Sequence, residues 1–209
     1  MEEKVRIIPL GGVAEIGKNM TVIEYENDII VVDCGSIFPK EDMLGIDLVI
    51  PDVTYLVRNM ERVRGMLITH GHEDHIGAVP YVVRQVPVPI YGTRITLALI
   101  ENKLREQRVS GVQLNVVKPK DTIQLGAFSI QFIKVSHSIA GAVAMAITCP
   151  AGTIIVSGDF KIDYTPIDGE VTDLNTLAEW GNKGVLALLC ESTNVERAGY
   201  TMSEKKRCV

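Results

Sequence analysis

The sequence lacks any long uninterrupted apolar run, although 46% of its 209 residues are hydrophobic. Its apolar runs, such as residues 29–32, 65–69 and 185–190, have the length of strands, whereas a membrane span needs about 18 to 20 residues. The N-terminus, MEEKVRIIPLGG, has neither the cationic stretch nor the apolar stretch of a secretion signal. We therefore expect a globular, cytoplasmic protein without a membrane partner.

Cysteine and positive charge are also scarce. The four cysteines at positions 34, 149, 190 and 208 are scattered and form no CxxC pair, which argues against a disulfide framework or a zinc–thiolate site. The 21 basic residues are outnumbered by 26 acidic ones, giving a formal net charge of −5. This balance argues against a protein that coats nucleic acid through bulk positive charge, but it leaves a local basic groove open.

No internal repeat, low-complexity tract or flexible linker interrupts the chain, so we predict one domain over residues 1–195 and a tail over residues 196–209. Apolar runs predict strands at residues 5–10, 20–25, 29–33, 65–69, 88–91, 112–117, 122–125, 128–135, 143–148, 153–156 and 185–190. Helical patterns cover residues 52–61, 76–85, 93–107 and 174–179. Many strands with helices early and late indicate an α/β fold in which helices cover two packed sheets.

Three of the four histidines lie within six positions of the segment THGHEDHIGA, residues 69–78. In an extended chain alternate residues face the same side, so His70, His72 and Asp74 can converge beyond the end of a strand. A helix that begins near His75 would project its imidazole into the same space. Imidazole and carboxylate ligands favour zinc, with manganese as the alternative. Histidines that merely cap a turn are the competing interpretation, which three within six positions argue against.

Further ligands must come from elsewhere in the fold. His137, in KVSHSIAG, is the remaining histidine and can supply the third nitrogen that a common zinc site needs. Asp159 ends the apolar run IIVSGD, where it serves either as a turn residue or as a carboxylate that bridges two ions. Asp33 ends the run IIVVD and fits equally well as a metal ligand or as an acceptor that orients a ligand histidine.

These residues resemble a known pattern. HGHEDH at 70–75, Asp33 in VVDCG, His137 and Asp159 in SGDFK are similar in order and spacing to the metal motifs of the metallo-β-lactamase superfamily. LGGVAEIGKN at 10–19, SGDFKID at 157–163 and ESTNVERAGYTMSE at 191–204 extend the resemblance to the bacterial ribonuclease J family of its β-CASP branch, over essentially the whole chain.

The resemblance implies an αββα sandwich that holds two zinc ions and cleaves RNA with a metal-bound hydroxide. It further implies a 5′–3′ exoribonuclease, an endoribonuclease or both, acting in RNA processing and decay. RNA would be the substrate, and other RNA-decay proteins are implied as partners. Strands missing from the sandwich would expose a sheet edge and apolar surface, which favours association with a second copy of the chain.

The same resemblance assigns the site residues. His70, His72 and His137 would hold one ion, Asp74 and His75 the other, and Asp159 would bridge the two. Asp74, His75 and Asp159 would then carry the catalysis, and Asp33 would orient a ligand.

In the family, a further histidine for the second ion comes from a later part of the chain. We therefore expect an incomplete sandwich, without its C-terminal strands and β-CASP insert, in which residues 196–209 begin the connection to that insert. Because every histidine is already assigned, the second ion would keep three protein ligands and bind more weakly. Two alternatives remain: a small-molecule hydrolase of the same superfamily, disfavoured by Asp159 where many zinc β-lactamases have cysteine, and an inactive metal-binding fragment.

Overall fold

The computed structural model describes residues 4–200 and Ser203, so most of the predicted tail after residue 200 lies outside the described residues. The first half of the chain builds a six-stranded sheet. Its strands are β1 (Val5–Gly11), β2 (Met20–Tyr25), β3 (Asp28–Val32), β4 (Val63–Leu67), β5 (Ile90–Gly92) and β6 (Leu114–Val116), in that spatial order. The first three strands pair antiparallel and the rest continue in parallel.

The second half builds a five-stranded sheet. Its strands are β7 (Thr122–Leu125), β8 (Phe128–Lys134), β9 (Val143–Cys149), β10 (Gly152–Val156) and β11 (Ala187–Leu189), in the spatial order β11-β10-β9-β8-β7. Its neighbouring strands are antiparallel except for β10 and β11.

Within residues 4–200, five α-helices accompany the sheets. They are α1 (Thr54–Arg58), α2 (Glu73–Ile76), α3 (Val79–Val82), α4 (Arg94–Glu106) and α5 (Leu174–Lys183), and a 3-10 turn covers Met60–Arg62. No helix among the described residues has the length and apolarity needed to span a membrane.

The buried side chains divide the molecule into layers. Ile30 of the first sheet and Phe132 of the second belong to the apolar core between the sheets. Val31, next to Ile30, faces the other way and packs with Val82 and Ile100 of the helices. On the far side, Leu177 and Trp180 of α5 pack against the second sheet. This helix–sheet–sheet–helix order is the αββα sandwich expected from the sequence.

Two predicted helices are shorter or broken in the structure. The one predicted for residues 76–85 is split into α2 and α3, and Pro80 lacks the N–H that would continue the ladder to the carbonyl of Ile76. The one predicted for residues 52–61 ends as an α-helix at Arg58. The side-chain amide of Asn59 donates to the Tyr55 carbonyl at 2.8 Å. In a continued α-helix that carbonyl would accept the backbone N–H of Asn59, which instead donates to the Leu56 carbonyl.

Candidate metal centre

The predicted site residues all follow the ends of strands at one edge of the sandwich. Asp33 follows β3, and the HGHEDH segment follows β4 in the first sheet. In the second sheet His137 follows β8 and Asp159 follows β10. Because the two sheets pack face to face, these loops meet, and the structure brings all seven predicted residues into one region.

Three histidines form the first group of candidate metal ligands, called the first group below. His72 Nδ1 lies 3.1 Å from His70 Nε2 and 3.1 Å from His137 Nε2. Tetrahedral zinc with bonds of 2.0 to 2.1 Å keeps its ligand nitrogens about 3.4 Å apart. His70 is fully buried, and the other two are partly exposed. The three nitrogens therefore converge with nearly the spacing that a zinc ion requires.

The carboxylate of Asp159 faces two histidines at once. Its Oδ1 lies 3.4 Å from His75 Nε2, and its Oδ2 lies 3.8 Å from His137 Nε2. Asp74 approaches the same His75 nitrogen, with Oδ2 at 3.6 Å. His70, His75 and Asp159 form a second group whose potential ligand atoms lie within 4.8 Å of one another. One oxygen of Asp159 thus faces each of the two groups.

Burial and neighbouring charges shift the protonation of these side chains in opposite directions. Burial, assisted by nearby histidines, lowers the pKa of His70 to about 2 and that of His137 to about 4. Both are neutral at pH 7, as metal ligation requires. Burial also disfavours the charged form of His75, but Asp33 and Asp159 outweigh it and raise its pKa to about 10. Burial acts to raise the pKa of Asp159, but the hydrogen bond and the charge of His75 outweigh it and lower that pKa to about 2.

A buried hydrogen-bond network lies behind the candidate ligands. His75 Nδ1 is 2.7 Å from Asp33 Oδ2, which directs His75 Nε2 toward Asp74 and Asp159. Asp33 also accepts the backbone N–H of Thr69 at 2.8 Å, and the Thr69 hydroxyl lies 3.0 and 2.9 Å from its two oxygens. The same hydroxyl is 3.0 Å from His70 Nδ1. Both oxygens of Asp33 are therefore engaged by Thr69 and His75, an arrangement that orients ligands.

The backbone around Asp33 is unusual. Asp33 has a φ of 61°, a left-handed conformation that costs energy for a residue other than glycine. The next-but-one residue, Gly35, lies so close to the Asp74 carbonyl that a Cβ would come within 1.5 Å of its oxygen. The VVDCG segment thus packs directly against the backbone of the HGHEDH segment, which fixes the distance between Asp33 and His75.

Two polar residues of the centre were missed in the sequence. Thr69 precedes the first histidine, and Asn19 places its side-chain nitrogen 3.1 Å from His75 Nε2. The Asp33 partner of Thr69 lies 36 positions away, and the Asp74 and His75 partners of Asn19 lie 55 and 56 positions away, so no local spacing marks these contacts. The closeness of Thr69 to His70 in THGHEDH is the one signal that pointed to either.

A cleft of about 520 Å³ opens beside the second group. Its walls include Asn19, Asp74, His75 and Asp159, together with residues 191–194. Among the described residues that line it are the carboxylates of Glu15, Asp33, Asp74, Asp159 and Glu191, but no lysine or arginine. Such a cleft repels an anion until bound cations neutralise it. The acidic walls of this cleft and the neutral His70 and His137 beside it together fit a site for divalent metal.

The sequence profile of the Metallo-beta-lactamase superfamily matches residues 14–190, and the chain belongs to this superfamily. Two solved structures share its fold. A protein of unknown function from Enterococcus faecalis V583 aligns over 97% of this chain and 53% of its own, with TM-score 0.72 and 18% identity. Zn(2+)-bound PqqB from Methylobacterium extorquens aligns over 79% of this chain and 68% of its own, with TM-score 0.57 and 11% identity.

More specific relatives carry the name Ribonuclease J. The protein of Synechocystis sp. is 49% identical over 97% of this chain and 32% of its own length. That of Thermus thermophilus is 46% identical over 97% of this chain and 37% of its own. Ribonuclease J2 of Bacillus subtilis is 45% identical over the same shares. The chain spans about a third of the length of these curated relatives and matches the ribonuclease J pattern expected from its motifs.

Proposed function

We propose that this chain is the catalytic part of a metal-dependent ribonuclease that hydrolyses RNA phosphodiesters in the cytoplasm. The observation that carries the proposal is the pair of ligand groups joined by Asp159, in a chain 40–49% identical to proteins named Ribonuclease J. The proposed activity is exonucleolytic attack from the 5′ end, internal cleavage, or both. Further RNA-decay proteins and a second copy of the chain remain predicted partners, and residues 1–195 remain the predicted domain.

His70, His72 and His137 would hold one ion, and Asp74 and His75 the other, with Asp159 contacting both. Zinc fits the nitrogen-rich first group, and manganese is the alternative where carboxylate oxygens predominate. When bound, the two ions supply a nucleophile at neutral pH, by lowering the pKa of water, and neutralise charge on the phosphate.

The chain's own residues prepare the site for that chemistry. Asp33 accepts a hydrogen bond from the Nδ1–H of His75, so that Nε2 faces the cleft. The raised pKa of His75 keeps a second proton on the ring at pH 7, and that proton would leave Nε2 when a metal ion binds. The Asp159 carboxylate keeps its negative charge near neutral pH and orients one oxygen toward each group. The open cleft, bordered by the segment before β2 and by residues 191–194, provides room for an extended substrate.

The proposal is tested by RNA cleavage with the purified 209-residue chain. RNA labelled at its 5′ end is incubated with zinc or manganese, and a chelator is added in parallel. Release of labelled mononucleotide indicates 5′–3′ attack, and longer labelled fragments indicate internal cleavage. Asp159→Asn is expected to lower the rate at least 100-fold, because it removes the charge shared by both groups. The control, Asp42→Asn, changes an exposed aspartate and should cleave normally.

Cleavage that survives the chelator, or an Asp159→Asn variant as fast as the wild type, would contradict the proposal. Two bound metal ions without RNA cleavage would instead favour the small-molecule hydrolase or the inactive metal-binding fragment. These two are separated by assaying thioester, lactone and β-lactam substrates with the same preparation.

A further inference from the structure

The glycine-rich segment LGGVAEIGKN, which joins β1 to β2, has no part in the proposed chemistry, yet its last residue reaches the metal centre. The backbone N–H of Asn19 donates to the carbonyl of Asp74 at 3.0 Å. The carbonyl of Asn19 accepts the N–H of Gly35 at 2.9 Å. These two backbone bonds hold Asn19 between the loop after β3 and the helix α2, whatever its side chain is.

The side-chain amide of Asn19 faces the atoms assigned to the second ion. Its Nδ2 lies 3.1 Å from the Asp74 carbonyl oxygen, 3.4 Å from Asp74 Oδ2 and 3.1 Å from His75 Nε2. An amide nitrogen carries two hydrogens. The Asp74 carbonyl takes one of them, and the other faces the Asp74 carboxylate and the His75 nitrogen.

The surroundings fix which end of the amide points into the site. The Asp74 carbonyl can only accept a hydrogen bond, so it requires the nitrogen of Asn19 rather than the oxygen. The oxygen points to Gly12, where a Cβ would come within 2.4 Å of it. Gly12 also has a φ of 83°, which favours glycine. Asn19 therefore donates hydrogen bonds at the site and does not offer an oxygen to a metal.

We propose that Asn19 is a positioning residue for the second metal ion. Its side-chain amide orients the carboxylate of Asp74, so that Oδ2 and His75 Nε2 face one point, and Gly12 leaves room for the amide. The inference rests on the proposed function, which assigns Asp74 and His75 to that ion. Among the hydrogen bonds of residues 4–200, none joins Asn19 to the three histidines of the first group. Its removal should therefore affect the two ions unequally.

The experiment is a zinc titration of the chelator-treated 209-residue chain, with bound metal measured by elemental analysis and affinity by competition with a chromophoric chelator. The wild type should bind two equivalents. Asn19→Ala should bind the first with unchanged affinity and the second 10- to 100-fold more weakly, the usual effect of losing a residue that orients a ligand. Cobalt absorption spectra follow each step independently of catalysis. Asn102→Ala, at an exposed position of α4, is the matched control and should behave as the wild type.

Gly12→Ala provides a second variant that keeps every ligand and Asn19 itself. Its Cβ should displace the amide and weaken the same second equivalent. Equal weakening of both equivalents in a folded Asn19→Ala chain, or no weakening of the second, overturns the inference while the two-ion site stands. Fewer than two equivalents in the wild type overturns the two-ion site, and the inference with it.

Discussion

The Thr69 hydroxyl contacts His70 of the first group and Asp33, which holds His75 of the second group. Its removal by Thr69→Val should destabilise the metal-free protein. The hydroxyl donates to Asp33, at 3.0 and 2.9 Å from its oxygens, and lies 3.0 Å from His70 Nδ1. Asp33 is 5% exposed and His70 is fully buried, so water cannot replace the lost partner. Thr69→Val removes the hydrogen bond to the Asp33 carboxylate and leaves the Nδ1–H of His70 without a partner. Together these two losses should lower the free energy of unfolding by about 2 to 4 kcal/mol.

Thr69→Ser is the matched control, because it keeps the hydroxyl and removes the methyl group that lies against Gly158. That change should cost about 1 kcal/mol, the usual value for one buried methyl group. Urea unfolding followed by circular dichroism, with chelator present, measures both variants. A Thr69→Val chain within 0.5 kcal/mol of the wild type, or a Thr69→Ser chain less stable than Thr69→Val, would refute the reasoning.

Two further predictions concern the backbone packing beside the centre and a buried carboxylate elsewhere in the fold. Gly35→Ala should lower the free energy of unfolding by about 3 kcal/mol or more, as measured by urea unfolding, because its Cβ would meet the Asp74 carbonyl oxygen. Burial acts to raise the pKa of Glu24, but hydrogen bonds from Tyr55 and Arg62 outweigh it and lower that pKa below 4.5. The stabilisation by ionised Glu24 is therefore complete above about pH 5 and lost as the pH falls through its folded pKa. Thermal melts from pH 6 to 3 should show a flatter decline for Glu24→Gln, and parallel curves would contradict this.

The parts of the site that the sequence predicted depend on short-range geometry. HGHEDH follows the apolar strand β4, and the alternation of an extended chain places His70 and His72 together. His137 and Asp159 were found because each is a chemically suitable residue at the end of an apolar run. Strand ends at one edge of a sandwich meet, so these positions could be inferred without knowledge of the detailed packing.

Other features depend on contacts between distant segments. The sequence left Asp33 open between ligand and orienting acceptor, and its contacts with Thr69 and His75 became visible only with the folded backbone. The position of Asn19 at the site depends on the register between β1 and β2 and on the close approach of Gly35 to Asp74. Neither factor leaves a periodic or compositional signal, since each concerns a single contact between segments far apart in sequence.

Each proposed ion would join the two sheets. The first group takes His72 from one sheet and His137 from the other, and the second takes His75 from the first sheet and Asp159 from the second. Behind the ligands the sheets are already joined by the Val143 N–H, which donates to the Thr69 carbonyl at 3.0 Å, and by an extended apolar core. The spacing of the ligands is therefore set by packing before any ion binds. Metal binding to such a site adds to the stability of an existing fold by mass action, in contrast to small zinc domains that are unfolded without their metal.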